Sequence, residues 1–196
     1  MTDMALVALY ILWFVWLMIW TALSLRFRPA VARSTGWRHS VPFQLLWLCG
    51  IFLLLGFGSG SYDLKYRLWD IVDGAGGWYL VGLTAAGLLF AAWARIHLGR
   101  PIHGRAVVCS GPYALVRHPV YSGALFAAFA TAVLQGIPTA FLGLALCLIG
   151  FVLKAQAEER YLRRELGRAY EAYAMQVPML LPYPKLLWRT LRRLAK

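Results

Sequence analysis

Residues 110–123, SGPYALVRHPVYSG, bring Tyr113, Arg117, His118 and Tyr121 together just before a long apolar run. Pro119 fits the first turn of a helix, where its missing N–H is no loss. An arginine and a histidine would then stand at the electropositive N-terminal end of an apolar helix, where an anionic ligand is held. The faces of Tyr113 and Tyr121 could wall a pocket for a cation. Each group also has a plainer use. Arginines near membrane-helix ends snorkel to lipid phosphate, and tyrosines anchor at the interface.

The second constellation is Glu158-Glu159. Successive helix positions differ by about 100°, so the two carboxylates cannot face the same way. Glu158 aligns with Leu162, Leu166, Ala169 and Tyr173, an apolar stripe, and is expected to be buried towards a site. Glu159 aligns with Arg163 in a favourable i,i+4 order and is expected to form a solvated ion pair. His97 and His103 are six residues apart without a convincing third ligand, so no metal is expected. Cys49, Cys109 and Cys147 form neither a disulfide framework nor a zinc site and read as small packing residues.

These groups need elements to position them. The chain has 196 residues, 61% hydrophobic and 14% charged, which points to one membrane-embedded domain. Its net charge of +12 would suggest nucleic acid in a soluble protein. Here the basic residues lie between and after apolar runs, so a membrane surface is the better partner and nucleic acid is not expected.

Apolar runs cover about 4–25, 41–58, 77–96 and 120–153. The last is too long for one crossing and is interrupted by Gln135-Gly136-Ile137-Pro138, a turn with a proline ready to start a new helix. The expected fold is all-α and polytopic, with five transmembrane helices, the last two in a tight hairpin. The first run follows Asp3 rather than a basic segment and reads as a retained anchor. Residues 26–40 carry four arginines, 59–76 carry a lysine and an arginine against three aspartates, 95–118 carry four arginines, and ten Lys or Arg follow from Lys154. This alternation predicts an outside N-terminus, a cytoplasmic C-terminus and a cytoplasmic site, most naturally at a plasma membrane. Beyond Leu153 the helix should leave the bilayer, reach Gly167, and resume to about Gln176 as a cytoplasmic helical segment. Residues 183–196 interleave leucines with basic side chains and read as a helix lying on anionic lipid.

Gly111-Pro112-Tyr113 followed by Arg117-His118-Pro119-x-Tyr121-x-Gly123 resembles the signature of the isoprenylcysteine carboxyl methyltransferases, to which the phospholipid methyltransferases are related. Glu158-Glu159, Leu166-Gly167, Tyr170, Tyr173, Val177-Pro178 and Pro182 resemble its second half, with Leu166 in place of the usual Phe. Arg95 and Leu98-Gly99 resemble the Arg…Leu-Gly segment that precedes it. Pro101, Ile102 and His103 stand where the family often has an Asn-Trp-Ser-like stretch. The resemblance covers roughly 93–182 and implies one membrane-embedded methyltransferase domain using S-adenosylmethionine. It implies a cofactor under the C-terminal segment and a lipophilic or prenylated acceptor arriving from the bilayer.

Carried over residue by residue, the resemblance marks Arg117 and Glu158 as catalytic. It marks Leu98, Gly99, Tyr113, His118, Pro119, Tyr121, Glu158 and Glu159 as cofactor-binding. Carboxyl O-methylation is the first expectation. Amine methylation of a phospholipid is an alternative, for which Glu158 or His118 would be the base. The Arg-His-Pro-x-Tyr core also occurs in NADPH-dependent membrane sterol reductases, and the Glu-Glu half separates the two. A non-enzymatic lipid binder or small transporter is the third reading, but no internal repeat supports a transporter.

Overall fold

The computed structural model describes residues 4–26, 37–57, 67–69, 75–98 and 107–182. They form six α-helices: α1 (Met4–Arg26), α2 (Trp37–Leu54), α3 (Ala75–Leu98), α4 (Pro119–Gln135), α5 (Pro138–Leu166) and α6 (Arg168–Gln176). A 3₁₀ turn, Gly111–Ala114, precedes α4, and there is no strand among the described residues. The described residues adopt the expected all-α architecture. The predicted tail helix over 183–196 lies outside the described residues, as do Gly99 and His103.

Helices α1, α3 and α5 are long and apolar enough to cross a membrane, over Met4–Ala22, Ala75–Leu98 and Pro138–Leu166. Phe43–Leu54 of α2 and Pro119–Gln135 are shorter apolar helices packed among them. Large apolar side chains such as Leu89, Phe129 and Leu142 point outward, as they must when the surrounding medium is hydrocarbon rather than water. Only the first part of α5 is apolar. From Lys154 it is a polar extension, and Glu158 and Glu159 lie beyond the apolar length.

The interrupted run is a hairpin. α4 ends at Gln135, Gly136 takes φ 61°, Ile137 is extended and Pro138 opens α5. The left-handed residue ends the first helix and the proline starts the second. The segment 67–69 closes over this turn. Leu68 N–H donates to Gly136 O at 2.8 Å, Trp69 Nε1 to Val133 O at 2.7 Å, and Arg67 Nε to Gln135 O at 3.1 Å.

Two close helix crossings set the bundle. α3 and α4 meet where Gly87 faces Gly123, and a Cβ on Gly123 would sit 2.6 Å from Gly87 O. α2 and α5 meet at Gly50 and Gly143, with Cys147 beside them. Small residues let apolar helices approach until backbones touch, which is the main source of packing energy where no hydrophobic drive operates. Cys147 is buried in that contact, while Cys49 and Cys109 are exposed and so depart from the packing role expected of them. α1 is fastened to α4 by Trp13, whose Nε1 donates to Thr131 Oγ1 at 3.0 Å inside the core.

Candidate functional site

The bundle brings the two motif regions together at one end. α4 presents Arg117, His118, Tyr121 and Ser122 around its first turn, and the polar extension of α5 presents Glu158 and Glu159 opposite them. α6 and the segment 177–182 fold back over this junction. Gly167, at φ 53°, makes that reversal possible, because few side chains tolerate this conformation.

Arg117 is the centre of the closure. Its Nε donates to Glu159 Oε1 at 2.7 Å, and its Nη1 donates to Ala174 O at 2.8 Å and Val177 O at 2.7 Å. The guanidinium thus neutralises a carboxylate and caps the C-terminal carbonyls of α6, where a cation is favoured. The backbone follows. Arg117 N–H donates to Pro178 O at 2.9 Å, His118 N–H to Met179 O at 3.1 Å, and Ser122 Oγ to Leu180 O at 2.6 Å. These bonds strap 177–180 onto the start of α4. The sequence predicted that Arg117 would face an anionic ligand; at Nε and Nη1 it instead holds the protein together.

The two glutamates exchange their expected environments. Glu159 is buried, 8% exposed, while the Glu158 side chain retains 26% exposure. The reason lies in the helix phase. The buried Ala155 and the half-buried Leu162 and Leu166 lie on average about 40° from Glu159 but about 60° from Glu158. Ala169 and Tyr173, which had tilted the alignment towards Glu158, belong to α6 beyond the Gly167 break and carry no information on α5's phase. Glu159 does keep its pair with Arg163 at 3.6 Å, as a secondary contact. Burial raises the Glu159 pKa, but hydrogen bonds from His118 and Arg117 and their charges outweigh it and bring it down to about 2.

His118 lies between the carboxylates, with Nε2 3.3 Å from Glu159 Oε1 and Nδ1 3.6 Å from Glu158 Oε2. Tyr121 donates its hydroxyl to Glu158 Oε1 at 2.7 Å, and its ring stacks on His118 at 5.5 Å and on Phe151 at 5.0 Å. Pro119 is fully buried beneath them. Tyr113 is buried on the neighbouring wall, stacked at 6.4 Å on His97, which in turn is 3.0 Å from Ser110 Oγ. A Cβ on Gly111 would lie 2.9 Å from the His97 ring, so the glycine of the Gly-Pro-Tyr motif is needed for clearance as well as for its φ of 59°. Leu98, half-buried, ends α3 beside this wall.

Some contributors were given no role from the sequence, although Tyr170 and Tyr173 belong to the second half of the motif. Ser122 and Tyr173 hold the site closed; Tyr173 donates to Tyr113 O at 2.7 Å. The Tyr170 hydroxyl is buried without a hydrogen-bond partner among the described residues. Lys154 places its ammonium 5.7 Å from the Tyr121 ring centroid. Its position one turn before Glu158, at the end of an apolar run, was the available signal. Next to it a cavity of about 270 Å³ opens between α1, α2, α4 and α5, walled mainly by Trp16, Trp20, Trp47, Tyr121 and Phe151.

The donor set suits a ligand carrying hydroxyls or an amine beside a soft cation. Glu158 is a half-open carboxylate with a tyrosine on one oxygen, Tyr170 offers an unused hydroxyl, and the Tyr113 ring supplies an aromatic face, whereas the Tyr121 ring is already stacked on His118 and Phe151. S-adenosylmethionine has those features.

The known proteins that this chain resembles are methyltransferases. Residues 78–164 match the model of the isoprenylcysteine carboxyl methyltransferase (ICMT) family. The chain is 32% identical to methanethiol S-methyltransferase 2 of Bradyrhizobium diazoefficiens, over 81% of this chain and 67% of the relative. It is 36% identical over 104 residues to a probable protein-S-isoprenylcysteine O-methyltransferase of rice, Oryza sativa, and 35% identical over 78 residues to protein-S-isoprenylcysteine O-methyltransferase B of Arabidopsis thaliana. The chain spans about half the length of the rice relative, 53% of it.

Proposed function

The chain belongs to the isoprenylcysteine carboxyl methyltransferase family, and from that premise we propose that it is an integral membrane enzyme transferring a methyl group from S-adenosylmethionine to a lipophilic acceptor. The observation that carries this reading is the meeting of Glu158, His118 and Tyr121 at the end of an apolar bundle, beside an apolar cavity. Glu158 is the residue to accept hydrogen bonds from the cofactor's hydroxyls or amine. Tyr113 faces its cationic part, Tyr121 fixes the Glu158 carboxylate through its hydroxyl, and Leu98 and Gly99 border the same region in the family pattern. Glu159 and His118 hold Glu158 and Tyr121 in place.

The cofactor supplies an electrophilic methyl group on a sulfonium. The chain supplies alignment and a site from which water is displaced around the nucleophile. Carboxyl O-methylation of a prenylated cysteine is the first acceptor reading, because a carboxylate is ionised at neutral pH and requires no base. The relative covering most of this chain is named for S-methylation of a small thiol, so S-methylation is the second reading. Arg117 acts in this scheme as a positioning residue.

The test is transfer of tritiated methyl from S-adenosylmethionine, in detergent, to four acceptors: a farnesylated cysteine analogue, the same cysteine without its lipid, a short alkyl thiol and phosphatidylethanolamine. Labelling of the farnesylated compound alone supports O-methylation of a lipophilic acceptor, and labelling of the thiol supports S-methylation. Labelling of the phospholipid alone moves the reading to amine methylation and makes Glu158 or His118 a general base. No labelling of any acceptor or of a membrane lipid extract, with adenosylhomocysteine failing to bind, removes the methyltransferase reading.

A further inference from the structure

We infer that the cavity between α1, α2, α4 and α5 is a binding site for a compact apolar anion, and that Lys154 selects its charged head. This rests on the methyltransferase reading for the role of the ligand as acceptor, but not for its binding.

Volume limits the occupant. A dry protein cavity of about 150 Å³ takes benzene. A space of 270 Å³, partly open to its surroundings, therefore holds a body of roughly ten to twelve carbons, about two fused rings, within its walls. The walls are mostly apolar, with tryptophans from α1 and α2, Tyr121 and Ala124 from α4 and Phe151 from α5, and Gln44 of α2 adds an uncharged polar side chain. Such a surface offers dispersion contact and little hydrogen bonding, as ligand pockets do away with their few polar groups.

Charge sets the head. Among the described residues that line the cavity, Lys154 is the one that carries a charge. No carboxylate among the described residues is in ion-pair reach of it, and its contact is with the face of Tyr121. That ammonium favours an anion in the cavity over a neutral or cationic head.

Location links the cavity to the site. Lys154 and Glu158 are one helical turn apart on α5, and the Tyr121 ring lies between them, under the ammonium and bonded to the carboxylate. An anion paired with Lys154 therefore sits next to the cluster assigned to the cofactor. An acceptor held as an anion needs no base, which agrees with His118 and Glu159 being bound to each other.

The test is calorimetric titration of the full chain in phosphatidylcholine nanodiscs with 2-naphthoate and its neutral isostere 2-naphthamide. Wild type should prefer the acid by about ten- to a hundred-fold, the range of a charge-assisted contact in a partly dry site. Lys154→Met should abolish the preference and Lys154→Arg should retain most of it. Ala124→Phe, which fills the cavity, should weaken both ligands. Adenosylhomocysteine binding reports separately on folding and on the cofactor site. Equal binding of acid and amide to wild type overturns the role of Lys154. Unchanged binding to Ala124→Phe overturns the cavity as the site, and displacement of naphthoate by added phosphatidylglycerol assigns it to a lipid head instead. Naphthoate binding as described with no methyl transfer to any acceptor leaves the site standing and removes the enzymatic reading alone.

Discussion

Removing the Glu159 carboxylate leaves the Arg117 guanidinium buried with carbonyls but no counter-charge, while removing that of Glu158 leaves one tyrosine hydroxyl without an acceptor. The two substitutions should therefore separate stability from binding. Glu159→Ala is expected to destabilise the protein by about 3–5 kcal/mol, the usual loss on breaking a buried pair from one side. Glu158→Gln should change stability by less than about 1 kcal/mol, yet weaken adenosylhomocysteine about ten- to a hundred-fold. Thermal unfolding in detergent and ligand titration on both variants check this; equal stability loss would contradict the assignment of roles. The pH dependence follows in sign. The Glu159 pKa is depressed to about 2, so its contribution is complete above the ordinary carboxylate range and is lost only as pH falls towards 2. The destabilisation by Glu159→Ala should accordingly shrink as pH falls below the ordinary carboxylate range towards about 2.

At the scale of elements, helix crossings and the polar extension of α5 differ in how far sequence reveals them. The apolar runs, the Gln135–Pro138 turn and the Gly167 break were legible, because hydrophobic length and turn chemistry are local properties. The orientation of Glu158 and Glu159 was not: a 100° difference is decided by which neighbours belong to the same helix, and Gly167 removes Ala169 and Tyr173 from the count. The strapping of 177–180 onto α4 was not legible either, since it depends on backbone groups that every residue possesses. The Gly-Pro-Tyr and Arg-His-Pro motifs were visible, but the attachment of Arg117 to α6 carbonyls has no signature. Glycines in the apolar runs look alike in sequence and differ in space. Gly123→Ala would push a methyl group against the backbone of α3 and should lower the melting temperature measurably. Gly82, around which nothing lies within 4 Å, should accept Ala with no loss and up to about 1 kcal/mol gain in helix stability. Matched melting curves of the two variants decide between a tight crossing and a general intolerance of alanine in the bundle.

For the whole molecule, the hydrogen bonds divide the bundle into two ends. Residues 67–69 are tied to the α4–α5 turn, and Gln135 Nε2 lies 3.3 Å from the Tyr10 hydroxyl near the start of α1. The start of α4, the polar extension of α5 and α6 occupy the opposite end. Two ends alone do not say which faces the cytoplasm. Charge does: segments at the first end are poor in excess Lys and Arg, while residues 26–40, 95–118 and everything from Lys154 onward are rich in them. We therefore predict five crossings, an outside N-terminus and a cytoplasmic site, with α2 and α4 as the two short spans. At 1.5 Å per residue the 17 residues of α4 extend about 25 Å, short of a typical hydrocarbon core, so local thinning or flanking anchors must absorb the difference. Reporter fusions after Asp70 and after Lys196 should land on opposite faces of the membrane. The same face for both would mean that α4 and α5 do not each cross, and the site would then have to be reached from the other side.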